Sequence, residues 1–265
     1  MLALYRNLPG KRVVMTSVVP LLLVISFFGT SLPVSAVARQ TPQGATLYSV
    51  NWSGYVAHAK AAGYEQVSAQ WNVPCIAPGS PEGVSSVWIG LGGWHNKNLV
   101  QVGTAQIKLP GAQGTPQITY YAWEENLASK TPNAIPLFNV HCGDRIAASV
   151  YIGGRMVLDD VTTGQASNAS YGPSANAGTA EFIVERFLNQ GVLGSLADFQ
   201  QATFENAQVT SSQFGLAPLD NSANRVLMTA TSFAGAQVLT TVGPVLPQSN
   251  SAGSFTVTWN NSGAA

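Results

Sequence analysis

What constrains this chain most is the shape of its apolar runs. From Asn51 onward they are short, alternate apolar with polar residues, and break on Gly, Pro, Asn or Ser. Period-two alternation over four to eight residues is the pattern of a half-buried strand. It predicts strands over residues 65–73, 84–91, 99–107, 117–125, 145–152, 179–187, 226–232 and 254–259. Helical periodicity is scarce, and 192–204 is the one modest helix candidate. Many short strands with frequent turn signals predict an all-β fold, a sandwich or barrel of antiparallel sheets. Neither an internal repeat nor a linker divides the pattern, and the stretches 77–83 and 244–253 read as loops. Residues 49–265 are therefore expected to form one β domain.

The N-terminus is different. Arg6, Lys11 and Arg12 precede an apolar run over 13–28, and Val34-Ser35-Ala36-Val37-Ala38 supplies small residues after it. A basic region, an apolar stretch and a small-x-small site read as a secretory signal peptide covering 1–38. A retained membrane anchor is the competing reading, against which stand Pro20 and the cleavage-like residues. Residues 39–48 then form a short leader, and the mature protein is expected to be secreted, monomeric and free of the membrane.

Removing three of the 12 basic residues leaves nine against 12 acidic ones. That balance offers no basic patch for nucleic acid. Charged residues are only 9% of the chain, so few carboxylates must be protonated as pH falls, which suits an acidic medium. In an oxidising compartment Cys75 and Cys142 are expected to pair as a disulfide. His58, His95 and His141 have no ligand spacing with one another or with the cysteines, so no metal is expected.

Four segments place polar residues inside apolar strand patterns: Ser86 to Gly93, Leu99 to Gly103, Thr119 to Glu125 and Ala180 to Phe187. Side chains alternate between the faces of a strand. Glu181, Ile183 and Glu185 therefore share a face, as do Tyr121, Trp123 and Glu125, and as do Leu99, Gln101 and Gly103. Carboxylates, an amide and aromatics on one face suggest a groove over a packed core. An ordinary solvated face explains the same alternation, and parity alone does not choose between Glu181 and Glu185.

Several motifs in order narrow these readings. Asn51-Trp52-Ser53-Gly54-Tyr55, Trp88-Ile89-Gly90, Leu99-Val100-Gln101-Val102-Gly103 and Ala122-Trp123-Glu124-Glu125 come first. Gly143-Asp144-Arg145-Ile146, Thr162-Thr163-Gly164-Gln165 and Ala180-Glu181-Phe182-Ile183-Val184-Glu185 follow. Together they resemble the glutamic peptidases, the eqolisin family of acid endopeptidases. The resemblance implies a sandwich of two curved antiparallel sheets, of concanavalin-like or jelly-roll type, with protein or peptide substrates lying in a concave groove. It puts the family's catalytic glutamate on Glu185 and its catalytic glutamine on Gln101. Trp88, Tyr121, Trp123, Glu125 and Glu181 become candidates for lining the substrate groove.

A carboxylate can take a proton from water and return it to the leaving amine. A side-chain amide can donate to the developing oxyanion. The resemblance also implies an acidic optimum, insensitivity to pepstatin and a reaction that needs no cofactor. Gly92 and Tyr121 stand where the fungal pattern has aspartates, which leaves the working pH open, and the short leader fits a bacterial-type member. A non-catalytic sandwich that binds glycans or peptides is the alternative.

Overall fold

In the computed structural model the described residues are 43–263, except 60–62, 95–97, 112–113, 130–133, 171, 173–177, 190–191 and 232–234. The expected signal peptide lies outside them. All belong to the unit Gln40–Ala265.

The described residues contain no α-helix and nineteen strands, most of them in two large sheets. The first sheet is ordered Thr46–Ser49, Asn224–Met228, Trp52–His58, Thr179–Arg186, Gly83–Leu91, Val100–Leu109, Gln117–Asn126, Ile135–Asn139. Its one parallel pair is Thr46–Ser49 with Asn224–Met228. Residues 46–48, which the sequence reading assigned to a leader, are thus part of an edge strand. The second sheet is ordered Ala166–Ser170, Arg155–Asp160, Arg145–Tyr151, Gln66–Asn72, Gln201–Ser211, Ala252–Trp259, Thr240–Val242. The two mostly antiparallel sheets pack face to face as a sandwich.

The core follows from the alternation. Val87, Ile89, Val102, Ala122, Phe182 and Val184 of the first sheet meet Val67, Trp71, Ile146, Val150, Leu158, Phe204 and Phe255 of the second. Phe204 and Phe255 stack with ring centroids 4.9 Å apart, and Tyr55 and Phe182 meet them edge-on. The Trp71 indole donates to Thr104 Oγ1 across the interface at 3.1 Å, so its buried N–H is satisfied.

The helix candidate over 192–204 is corrected by the structure. Val192–Leu193 pairs with Leu188–Asn189, and Gln201–Ser211 is a long strand of the second sheet. Gln200 between them has φ 59°, a left-handed conformation that no α-helix continues through. Ala202 and Phe204 then alternate inward, and pairing on both sides outweighs a weak helical period.

Two motifs of the family resemblance lie at turns, the earlier of them leading into the strand Arg145–Tyr151. Asp160 accepts from the backbone N–H groups of Thr162 and Thr163 and from the Thr163 hydroxyl, closing the Thr162–Gln165 turn. Asp144 accepts from the His141 N–H beside Gly143, which has φ 90°. Cys142 of that turn is bonded to Cys75, with Cα atoms 4.8 Å apart. Closing a loop of 67 residues stabilises the fold by about 4 kcal/mol on the chain-entropy account. The double variant Cys75→Ser/Cys142→Ser is expected to lose about 2–4 kcal/mol in urea unfolding and keep its β-sheet circular dichroism.

Candidate active site

Antiparallel sheets usually pack one face and leave the other to water. The first sheet departs from this at its centre. Seven of the eight residues of Thr179–Arg186 are buried and Glu185 is partly buried, and the last five of Gly83–Leu91 are buried as well. The outer face carries a second apolar cluster, Val56, Trp88, Leu99, Ala105, Trp123, Ile183 and Val226, flanked by Trp52, Trp94 and Tyr121.

Strand register arranges this face in three rows. The first runs Trp52, Glu185, Ser86, Ala105, Tyr121; the second Gly54, Ile183, Trp88, Gly103, Trp123; the third Val56, Glu181, Gly90, Gln101, Glu125. All seven residues that the sequence reading nominated for catalysis or substrate contact therefore lie on one face of one sheet.

Glu185 is the hub. Its Oε1 accepts from Asn51 Nδ2 at 2.8 Å and from Trp52 Nε1 at 3.0 Å, and its Oε2 accepts from Trp88 Nε1 at 2.8 Å. Burial raises its pKa from 4.5 to about 7; the three donors pull it down, and the charge of Glu125 pushes it up. Asn51 and Trp52, part of the opening motif, are thus members of the site that the sequence reading did not nominate. Their place beside Glu185 depends on pairing 134 residues apart in sequence.

Gln101 is 4% exposed, and its Nε2 donates to Glu125 Oε2 at 2.7 Å. An amide nitrogen carries two N–H donors, and one of them is committed to Glu125. Burial raises the Glu125 pKa, against the lowering effect of the Gln101 bond. Trp123 Nε1 donates to Ser86 Oγ at 3.0 Å, which fixes its indole beside Trp88. Tyr121, where the fungal pattern has an acid, is a phenol whose pKa burial raises further, so it stays neutral. Glu181 has no exposed surface, and burial holds its carboxyl well above the ordinary range.

Gly103 is what lets the middle row close. A Cβ there would lie 2.3 Å from Val87 O and 2.5 Å from Trp88 Cβ. Gly90, between Glu181 and Gln101, similarly leaves room for the Trp88 ring and Leu99.

The remaining polar candidates lie elsewhere. His58 contacts Asn224, His141 contacts Asp144, and His95 lies outside the described residues. Among the described residues no group of three or more His, Cys, Asp or Glu is placed to hold a metal ion. A cavity of about 600 Å³ lined by Ala57, Tyr64, Phe214, Leu219 and Asp220 contains no residue of the three rows. Converging donors around a carboxylate, and not cavity size, mark this face as the candidate site.

An all-β sandwich with a carboxylate and an amide on one aromatic sheet face is a candidate hydrolase site. The sequence profile of the Peptidase A4 family matches residues 50–259. The chain belongs to this family, the glutamic peptidases, and is a glutamic-type endopeptidase. It is 26% identical over 223 residues to Aspergillopepsin-2 of Aspergillus niger, covering 73% of this chain and 78% of that one. Its fold is similar to that of scytalido-glutamic peptidase bound to a peptide-based transition state analog, with TM-score 0.61 and 23% identity over 80% of this chain and 98% of that one. It also resembles aspergilloglutamic peptidase from Aspergillus niger, with TM-score 0.52 and 25% identity over 68% of this chain and all of that one.

Two outcomes follow from the geometry. Gly103→Ala is expected to lower thermal stability and cleavage together, because the added methyl must displace Trp88 or the Val87 backbone. The raised Glu185 pKa also ties stability to pH. The folded state keeps a proton that the unfolded chain has released, so this contribution is complete below about pH 4.5 and is lost as pH rises through about 7. Urea midpoints are expected to fall from about pH 5 to about pH 8, and Glu185→Gln is expected to reduce that slope, with the raised pKa values of Glu125 and Glu181 supplying the remainder.

Proposed function

We propose that this chain is an exported endopeptidase in which Glu185 activates water and Gln101 stabilises the oxyanion. The observation that carries the reading is the Glu185 carboxylate, gripped by three N–H donors on the sheet face that also holds Gln101. An extended peptide lies over the aromatic face, against Tyr121 and Trp123, with Trp88 fully buried beneath it and so not itself a contact. Glu185 takes a proton from a water molecule, whose oxygen adds to the scissile carbonyl carbon. The second N–H of Gln101 donates to the resulting oxyanion, while the first remains on Glu125 and holds the amide in place. Protonated Glu185 then gives its proton to the leaving nitrogen, the C–N bond breaks, and the carboxylate is restored.

The site's electrostatics bear on working pH. A general base must be ionised in the free enzyme, and Glu185 titrates at about 7. The acid limb of kcat/KM therefore falls toward the neutral end of the acid range. Export is supported by the basic, apolar and small-residue segments of 1–38 and by the Cys75–Cys142 disulfide, which persists in oxidising compartments. Among the described residues no helix is long and apolar enough to cross a membrane.

Casein digestion by the mature protein, followed from about pH 2 to about pH 8, tests the reading. Glu185→Gln is expected to abolish cleavage. Gln101→Ala is expected to lower kcat by about 100- to 1000-fold, the usual effect of losing one oxyanion donor. Near-wild-type activity in either folded variant would remove that residue from the mechanism. An acid limb centred near pH 4 would show that the indole donors outweigh burial at Glu185.

A further inference from the structure

The proposed reaction employs Glu185, Gln101 and Glu125 and leaves Glu181 without a task. Its side chain shares their face, yet with no exposed surface it cannot touch a substrate. An apolar side chain of similar size would fill the position without the cost of desolvating a carboxyl. What the carboxyl adds is a bond: Glu181 Oε1 accepts from the Trp94 backbone N–H at 3.3 Å. Two residues earlier the Gly92 N–H donates to Thr179 O at 3.0 Å. The Thr179–Arg186 strand thus holds the turn after Gly83–Leu91 at two points. That turn runs through Gly92 and Gly93 with φ 79° and 107°, a path open to glycine and strained for other residues.

The turn's product is the placement of Trp94. Its ring lies 6.1 Å from that of Trp52, and Trp52 meets Trp88 edge-on at 5.0 Å. Trp52 and Trp88 are the indoles that donate to the two oxygens of Glu185. Contacts therefore run from Glu181 through Trp94 and Trp52 to Glu185, four residues further along the same strand.

We propose that Glu181 is a positioning residue, anchoring Trp94 by its backbone so that Trp94 backs the Trp52 indole against Glu185. This rests on the reading of Glu185 as the base. The side-chain oxygen that accepts from Trp94 is the operative atom, and a carbonyl oxygen in the same place does the same work.

The test compares Glu181→Gln, Glu181→Leu, Trp94→Ala and the Glu181→Leu/Trp94→Ala double variant in the mature protein. Peptide cleavage and near-UV circular dichroism of the tryptophans are read together. Glu181→Gln keeps the acceptor and is expected to retain kcat within about twofold. Glu181→Leu and Trp94→Ala are each expected to lower kcat by about tenfold or more, with KM within about twofold, and to weaken the tryptophan signal. The double variant is expected to lose no more than the worse single one, since both cut the same chain of contacts. Unchanged kcat in Glu181→Leu, additive losses, or a Gln variant as impaired as the Leu variant would each overturn the proposal. If Glu181→Leu does not fold, Trp94→Ala alone decides: unchanged kcat and dichroism reject the contact chain. The dichroism needs no activity, so a wild-type protein that cleaves nothing would remove the base assignment while still testing the positions of the indoles.

Discussion

A carboxyl group set among indoles on a sheet face is costly to ionise, and the arrangement of the first sheet answers that cost at Glu185. Burial alone would leave an inert, protonated acid. Three N–H donors from Asn51, Trp52 and Trp88 oppose that tendency and aim the group. Each donor requires a different strand or strand end to be in register with Thr179–Arg186, so the pairing of the whole sheet centre is a condition of the site.

That condition explains why the sheet is buried on both faces. Its inner face packs on the second sheet through Phe182 and Val184, and its outer face carries Ile183 between Glu181 and Glu185. Small residues make the double packing possible. Gly103 admits Trp88 and Trp123 side by side, and Gly54 extends the same row. Packing beneath and beside Glu185 holds its carboxyl in one geometry, as the proposed catalytic role requires.

Much of the site was legible in the sequence because strand parity is a local rule. Alternation put Glu181 with Glu185, Tyr121 with Trp123 and Glu125, and Gln101 with Gly103, and the register keeps each grouping. Parity could not rank the two glutamates, whose environments differ through distant contacts: Glu185 meets indoles, Glu181 a turn backbone. Nor could it separate motifs that line the site from those that close turns. Thr162-Thr163-Gly164-Gln165 sits around Asp160, in a turn of the second sheet.

The sequence by itself determined the β class, the faces of the strands, the family and the grouping of the candidate site residues on one face. These follow from period-two patterning and ordered motifs, which need no knowledge of which strand lies beside which. Only the tertiary structure decided that 192–204 is strand and loop, that residues 46–48 join a parallel edge, and that Asn51 and Trp52 hold Glu185. The last two depend on pairing between segments more than a hundred residues apart, and the strand from Gln201 is set by pairing with Ala252–Trp259 and Gln66–Asn72; in each, hydrogen bonds and burial outweigh local propensity. The titration of Glu185 at about 7 belongs to the same group, since it is the balance of desolvation against donors that the folded sheet alone assembles.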